Sequence, residues 1–176
     1  MGKDMATLPF KISVLIYLRD EAGRLLLIHR NKSPNKGLWS CIGGKLDMGC
    51  GESPFEAAIR EVREETGLNL AGKDLHLFGM ISEKNYEGDT HWLMFLFNCR
   101  KPLNFAPPDI AEGKFAFHAP EAIAALPVPE TDRQILWPLY FQQRDGFTAM
   151  RADCSPAKPL EAVAEETRLI TTIPYY

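Results

Sequence analysis

The sequence predicts one domain of the α/β class in its α+β form, and three observations predict it. Strand-length apolar runs at residues 12–18, 25–30, 75–83 and 91–99 bracket a strongly signalled helix at residues 54–66. A second helical pattern follows at residues 132–144, so strands, helix, strands and helix succeed one another. A length of 176 residues, with 45% hydrophobic and 24% charged content, suffices for one sizeable core.

Taken in order, the runs at 12–18 and 25–30 are separated by the turn-forming RDEAG and predict a β-hairpin. No acidic residue lies between Arg24 and Leu46, whereas Arg24, Arg30, Lys32, Lys36 and Lys45 mark this segment as basic. Cations beside held carboxylates are what a polyphosphate requires, because its charge needs neutralising on more than one side. Within the segment, SPNKGLW leads to Trp39, whose indole is either a core anchor or a face for a nucleobase to stack on.

The helix at 54–66 is legible from local chemistry. Ser53 and Glu56 form a capping box, Pro54 takes the first helical position, and Gly67 supplies the left-handed stop. At about 100° per residue, Phe55, Ala58, Ile59 and Val62 form an apolar stripe, while Ala57, Glu61, Glu64 and Glu65 share a neighbouring arc. Clustered carboxylates repel, by about 4 kcal/mol for a pair roughly 4 Å apart at an effective dielectric near 20. Arg60 neutralises part of this, and a hard divalent cation such as Mg²⁺ would convert the rest into binding.

Beyond the helix, 75–83 and 91–99 read as strands joined by the polar NYEGD turn. Trp92, Met94 and Leu96 alternate with Leu93, Phe95 and Phe97, so both faces of the second strand are apolar and it belongs at the centre of a sheet. His76, His91 and His118 stand apart in sequence and read as structural or exposed. A proline-rich loop then enters a short strand within residues 101–117. A short helix at 121–126 stops at Pro127, and Pro138 should kink the longer one at 132–144. In the tail, 147–153 is a candidate strand and 160–169 a candidate helix. The domain is expected to span residues 1–146, with the strand and tail of 147–176 packed on it.

Residues 43–68, GGKLDMGCGESPFEAAIREVREETGL, resemble the signature box of the Nudix hydrolases, G-x5-E-x7-R-E-U-x-E-E-x-G-U with U aliphatic. Glu52, Arg60, Glu61, Val62, Glu64, Glu65, Gly67 and Leu68 match in type and spacing. Seven residues separate Gly44 from Glu52 where the family pattern has five, so residues 48–51 form a loop lengthened by two, flanked by Gly49 and Gly51. The resemblance implies a mixed sheet sandwiched between helices, with the box as loop-helix-loop. It also implies that Glu61, Glu64, Glu65 and the Gly44 carbonyl hold Mg²⁺, with Mn²⁺ as a substitute. Glu61, or alternatively Glu112, would be the catalytic base, with Arg60 beside it and Glu52 orienting the cluster. For Glu112 the competing position is Asp109. Arg30, Lys45, Trp39 and Ser40 would bind substrate, Gly37-Leu38-Trp39-Ser40 occupying the place where MutT-like members approach the base. Ser40 stands where some oxidised-purine enzymes carry an asparagine.

The activity so implied is hydrolysis of a phosphoanhydride in a nucleoside diphosphate derivative, foremost a nucleoside triphosphate, oxidised or not, cleaved to monophosphate and pyrophosphate. Diadenosine polyphosphate or ADP-ribose hydrolysis, and a ligand sensor without turnover, are the alternatives. A net charge of −3 argues against long nucleic acid as partner. Four scattered cysteines fit a reducing compartment without structural zinc. No leader pattern or membrane-spanning run is evident, so a cytoplasmic monomer or homodimer acting on a small nucleotide, with no membrane association, is expected.

Overall fold

The computed structural model of the protein describes residues 7–169; residues 1–6, read above for a leader, and the end of the tail at 170–176 lie outside the described residues. Strand β1 (Phe10–Tyr17) is apolar on both faces, so it lies within a sheet rather than at its edge. It runs antiparallel to β4 (Ile42–Lys45) and parallel to β6 (Thr90–Cys99). β6 pairs antiparallel with β5 (Leu75–Tyr86), and β5 runs parallel to β8 (Phe147–Asp153), which takes β9 (Glu161–Arg168) on the outside. The six-stranded mixed sheet therefore has the order β4-β1-β6-β5-β8-β9.

A smaller antiparallel sheet, β3-β2-β7, is built from Trp39–Ser40, Leu25–Arg30 and Gly113–His118. This overturns the expected hairpin of the first two runs. Both flanks of β1 are already filled, and the Asp20 turn directs β2 into the second sheet. Of that hairpin there remain Leu26 donating to the Leu18 carbonyl, the Arg19–Leu25 bridge and the Asp20 N–H donating to the Arg24 carbonyl.

Helix α1 (Pro54–Thr66) packs on one face of the large sheet, where Ala57, Ala58 and Val62 meet Val14, Ile16, Ile42 and Phe97. Its buried side is rotated from the expected stripe: Ala57 is fully buried and Phe55 is 38% exposed, leaning edge-on against Phe97. On the opposite face Tyr17, Phe78, Ile81 and Leu96 pack against Leu136, Trp137, Leu139 and Tyr140. The two faces of β6 divide between these cores, Met94 and Leu96 in one and Phe97 in the other. The expected helix ended by Pro127 is a 3-10 segment, Pro120–Ala125.

Around Pro138 the chain adapts rather than simply bending. Residues Asp132–Leu136 form a π turn in which the Trp137 N–H reaches back to the Asp132 carbonyl, and α2 (Trp137–Gln143) follows. The tail corrects a second expectation. Residues Glu161–Arg168, rich in helix-forming residues, are strand β9, because β8 offers an unpaired edge and helix propensity is a weak prior against a full ladder of hydrogen bonds. Among the described residues no helix is long and apolar enough to cross a membrane.

Candidate active site

Helix α1 begins as its sequence dictates. Ser53 caps the Glu56 N–H, the Glu56 carboxylate accepts from the Ser53 N–H, and the helix ends at Gly67. Ahead of it residues 48–51 form a turn that Asp47 organises. The Asp47 side chain accepts from the Gly49 N–H, its N–H donates to Glu52 Oε2, and its carbonyl accepts from the Glu52 N–H. Gly51 closes this turn at φ +70°, a conformation that L side chains rarely adopt.

Arg60 is the hub of the box. Its Nε and Nη2 grip Glu52 at 2.7 and 2.8 Å, and Nη1 reaches Glu61 at 2.7 Å and Glu64 at 3.2 Å. Nη2 also donates to the Lys45 carbonyl at 3.1 Å. All five guanidinium N–H groups are thereby used. The Arg60 hydrogen bonds hold the Glu52 carboxyl below its ordinary range, while Glu61 is pushed up, first by burial and against the pull of Arg60.

Gly44 lies directly under Glu61, so close that a Cβ at this position would overlap the carboxylate. Glu65 has no share in the Arg60 network. Its Oε2 is buried without a hydrogen-bond partner, and burial followed by the Glu61 charge raises its pKa to about 8, against a Gly43 backbone hydrogen bond and the charge of Arg30. Among the described residues no three His, Cys, Asp or Glu side chains already converge as a metal-holding group, since Arg60 draws Glu61 and Glu64 to itself. The donor set nevertheless suits a hard divalent cation. It offers carboxylate oxygens on one helical arc, one of them buried and lacking a partner.

The other sequence-selected residues divide. Ser40, Arg30, Lys45 and Gly44 line a cavity of about 280 Å³ that opens beside the box. Trp39 does not line it; its ring packs between His29 and His118 at 5.1 and 4.5 Å, in the manner of a core anchor. Glu112 is exposed on the loop before β7, 3.7 Å from Lys32, and its charge contributes to raising Glu65. His76 bonds the Gly146 carbonyl and His91 accepts from the Asn85 N–H, while His118 packs on Trp39.

Sequence reasoning missed Glu83 and Asp132, which are 2% and 8% exposed and line the same cavity. A signal for Glu83 existed. It shares the inward face of β5 with Ile81, an acid where the alternation calls for an apolar residue. Tyr86 lines the cavity as well, and its hydroxyl donates to Asn35 at 2.7 Å.

Comparison with known proteins adds the ancestry of this arrangement. The family model of the NUDIX domain matches residues 9–138. The uncharacterised Nudix hydrolase YvcI of Bacillus subtilis is 32% identical over 114 residues, 64% of this chain and 69% of that protein. The ADP-ribose pyrophosphatase of Methanocaldococcus jannaschii is 35% identical over 78 residues, a match that covers 44% of each chain and thus less than half of that enzyme. Among solved structures, the mutator MutT protein of Bacillus halodurans superposes with a TM-score of 0.69 at 22% identity, over 88% of this chain and 97% of that one, a likeness of fold. Since the family match takes in β1 to β7, α1 and the complete set of box acids, this chain belongs to the Nudix hydrolase family.

Proposed function

We propose that the protein hydrolyses a phosphoanhydride bond of a nucleoside triphosphate, releasing monophosphate and pyrophosphate. The observation that carries this reading is the cavity beside the box. Its lining includes Gly43, Gly44 and Lys45, from the strand against which the α1 carboxylates lie, together with Arg30. A nucleoside in the cavity would leave its phosphates beside that strand and the box, with Arg30 and Lys45 as counter-charges.

Glu61, Glu64 and Glu65, with the Gly44 carbonyl, would hold Mg²⁺, or Mn²⁺ in its place. Bound there, the ion would polarise the phosphoryl oxygens and acidify the attacking water. Arg60 and Glu52 keep the carboxylates aligned. The water oxygen forms its bond to one of the two phosphorus atoms flanking the α–β bridging oxygen. The bridging oxygen leaves with the other, and the water's proton passes to a carboxylate. Glu61 suits that role, because burial raises its basicity while Arg60 fixes its direction. Glu112 is the alternative base, nearer to Glu65 and open to solvent.

One observation favours a second reading. The identity with the M. jannaschii ADP-ribose pyrophosphatase brings ADP-ribose into the substrate panel. The two readings part by product, since ADP-ribose yields AMP and a sugar phosphate without pyrophosphate. Incubation of the purified protein with each triphosphate, ADP-ribose and a diadenosine polyphosphate should release pyrophosphate from at least one triphosphate with Mg²⁺ and none with excess chelator. Turnover of ADP-ribose alone would replace the triphosphate reading, and silence across the panel would leave a ligand sensor.

A further inference from the structure

Glu83 and Asp132 take no part in the box. Glu83 comes from β5 and Asp132 from the start of the π turn, so two separate elements bring two acids to the cavity wall. Opposite Glu83 in the sheet stand Trp92 and Ala152, neither of which supplies a charge. Thr131 hydrogen-bonds the Glu83 carboxyl, yet Glu83 Oε1 is without a partner among the described residues. A buried polar atom left without a partner is costly, and such atoms are uncommon unless something outside the chain completes them. Burial, and then the neighbouring Asp132, lifts Glu83 to about 8, and burial lifts Asp132 to about 7. Near neutrality this wall therefore presents carboxyl O–H donors beside C=O acceptors, a pattern that pairs with the edge of a nucleobase and offers a phosphate no counter-charge. Trp92 and Met94 add apolar lining, and Tyr86 is held in place by Asn35.

We propose that Glu83, backed by Asp132, hydrogen-bonds the heterocyclic base of the substrate in this cavity and thereby decides which base the enzyme accepts. The proposal deepens the triphosphate reading and rests on it. A site built to pair with polar edge atoms rejects analogues that leave its own buried groups unpaired.

Two measurements test it. Steady-state hydrolysis of triphosphates carrying each common base and the 8-oxo purines is compared between the wild type and Glu83→Met. The preferred base should lose roughly tenfold or more in kcat/KM, the loss falling on KM, and the preference among bases should collapse. Calorimetric titration with the corresponding nucleoside monophosphates reads base binding without turnover, and the wild-type preference should vanish there too. Should Glu83→Met not fold, Glu83→Asp, which keeps the acid and draws it back by one methylene, should weaken the same preference. Unchanged base ratios in a folded variant, or no monophosphate binding by the wild type, overturn the proposal. Base-selective binding that depends on Glu83 in a protein that releases no pyrophosphate would instead sink the triphosphate reading and leave this one standing.

Discussion

The acids of α1 and the acids of the cavity wall carry the same functional group in opposite settings. Glu52, Glu61 and Glu64 surround one guanidinium, with the Glu64 side chain 54% exposed, and the charged form is what that arrangement favours for Glu52. Glu83 and Asp132 face no cation in the sheet, are nearly sealed from solvent, and are held toward the neutral form. Surroundings rather than residue type therefore separate carboxylates suited to a cation from carboxyls suited to a neutral ligand. Glu65 lies between the two groups, on the box helix yet buried and without a partner at Oε2.

The comparison breaks most visibly if the box acids are not ligands. Glu64→Gln keeps the shape and exposure of the side chain but removes the charge. Turnover at saturating Mg²⁺ should fall by more than about a hundredfold, beyond the range typical of groups that only support a ligand, while the far-ultraviolet circular dichroism stays that of the wild type. Full activity in this variant would remove the metal-helix mechanism. Gly44→Ala should come next, because the added methyl overlaps the Glu61 carboxylate and must push it aside. A loss of roughly ten- to a hundredfold in kcat is expected, with Tm nearly unchanged, since Glu61 is partly open to solvent and can yield. An unaltered kcat would mean that the position of Glu61 is immaterial.

That contrast also explains what the sequence could reveal. The box helix was legible because everything that builds it is local. The Ser53–Glu56 cap, Pro54, Gly67 and the acids at fixed spacing lie within one short segment, and the structure places α1 at Pro54–Thr66 as expected. The cavity wall was not legible, since Glu83 on β5 and Asp132 in the π turn are far apart in the chain and meet only through tertiary packing. The lost hairpin and strand β9 fail for the same reason. Local turn chemistry and propensity were sound, but the availability of a partner strand decided both, and pairing is a non-local property. Trp39 illustrates the intermediate case: its segment was singled out, yet whether the indole faces the ligand or the core depended on where His29 and His118 lay.

Arg60 sharpens the first half of the comparison. Replacing it by alanine leaves Glu52, whose side chain is 8% exposed, without the bidentate partner that justifies its burial. A loss of about 2 to 3 kcal/mol in unfolding free energy is expected from removing hydrogen bonds between charged groups, measurable as a lower urea midpoint. Arg60→Lys should recover only part of this, because an ammonium cannot span Glu52 and Glu61 in one plane. A full rescue by lysine would show that charge alone, and not the fork, organises the box.

The smallest effect in any single measurement is the most direct comparison of the two acid groups, because their contributions to stability have opposite dependence on pH. Glu52 is lowered by Arg60, so the folded chain holds fewer protons than the unfolded chain around its ordinary pKa. The stability it contributes is present above that value and is lost as pH falls. Glu83 is raised from 4.5 to about 8, so between those values the folded chain keeps a proton that the unfolded chain has released. The slope of unfolding free energy with pH is then negative, and stability declines from about pH 5 to pH 8, by up to about 1.4 kcal/mol per pH unit for each such proton. Asp132 and Glu65 add slopes of the same sign. Glu83→Gln removes one titrating group while keeping the side-chain shape, so its urea midpoint should fall less steeply over this interval than that of the wild type, with Asp132 and Glu65 supplying the remaining decline. Identical slopes in the two proteins would mean that Glu83 is ionised in the folded chain at neutral pH, and the contrast between a charged box and a neutral cavity wall would fail at its second half.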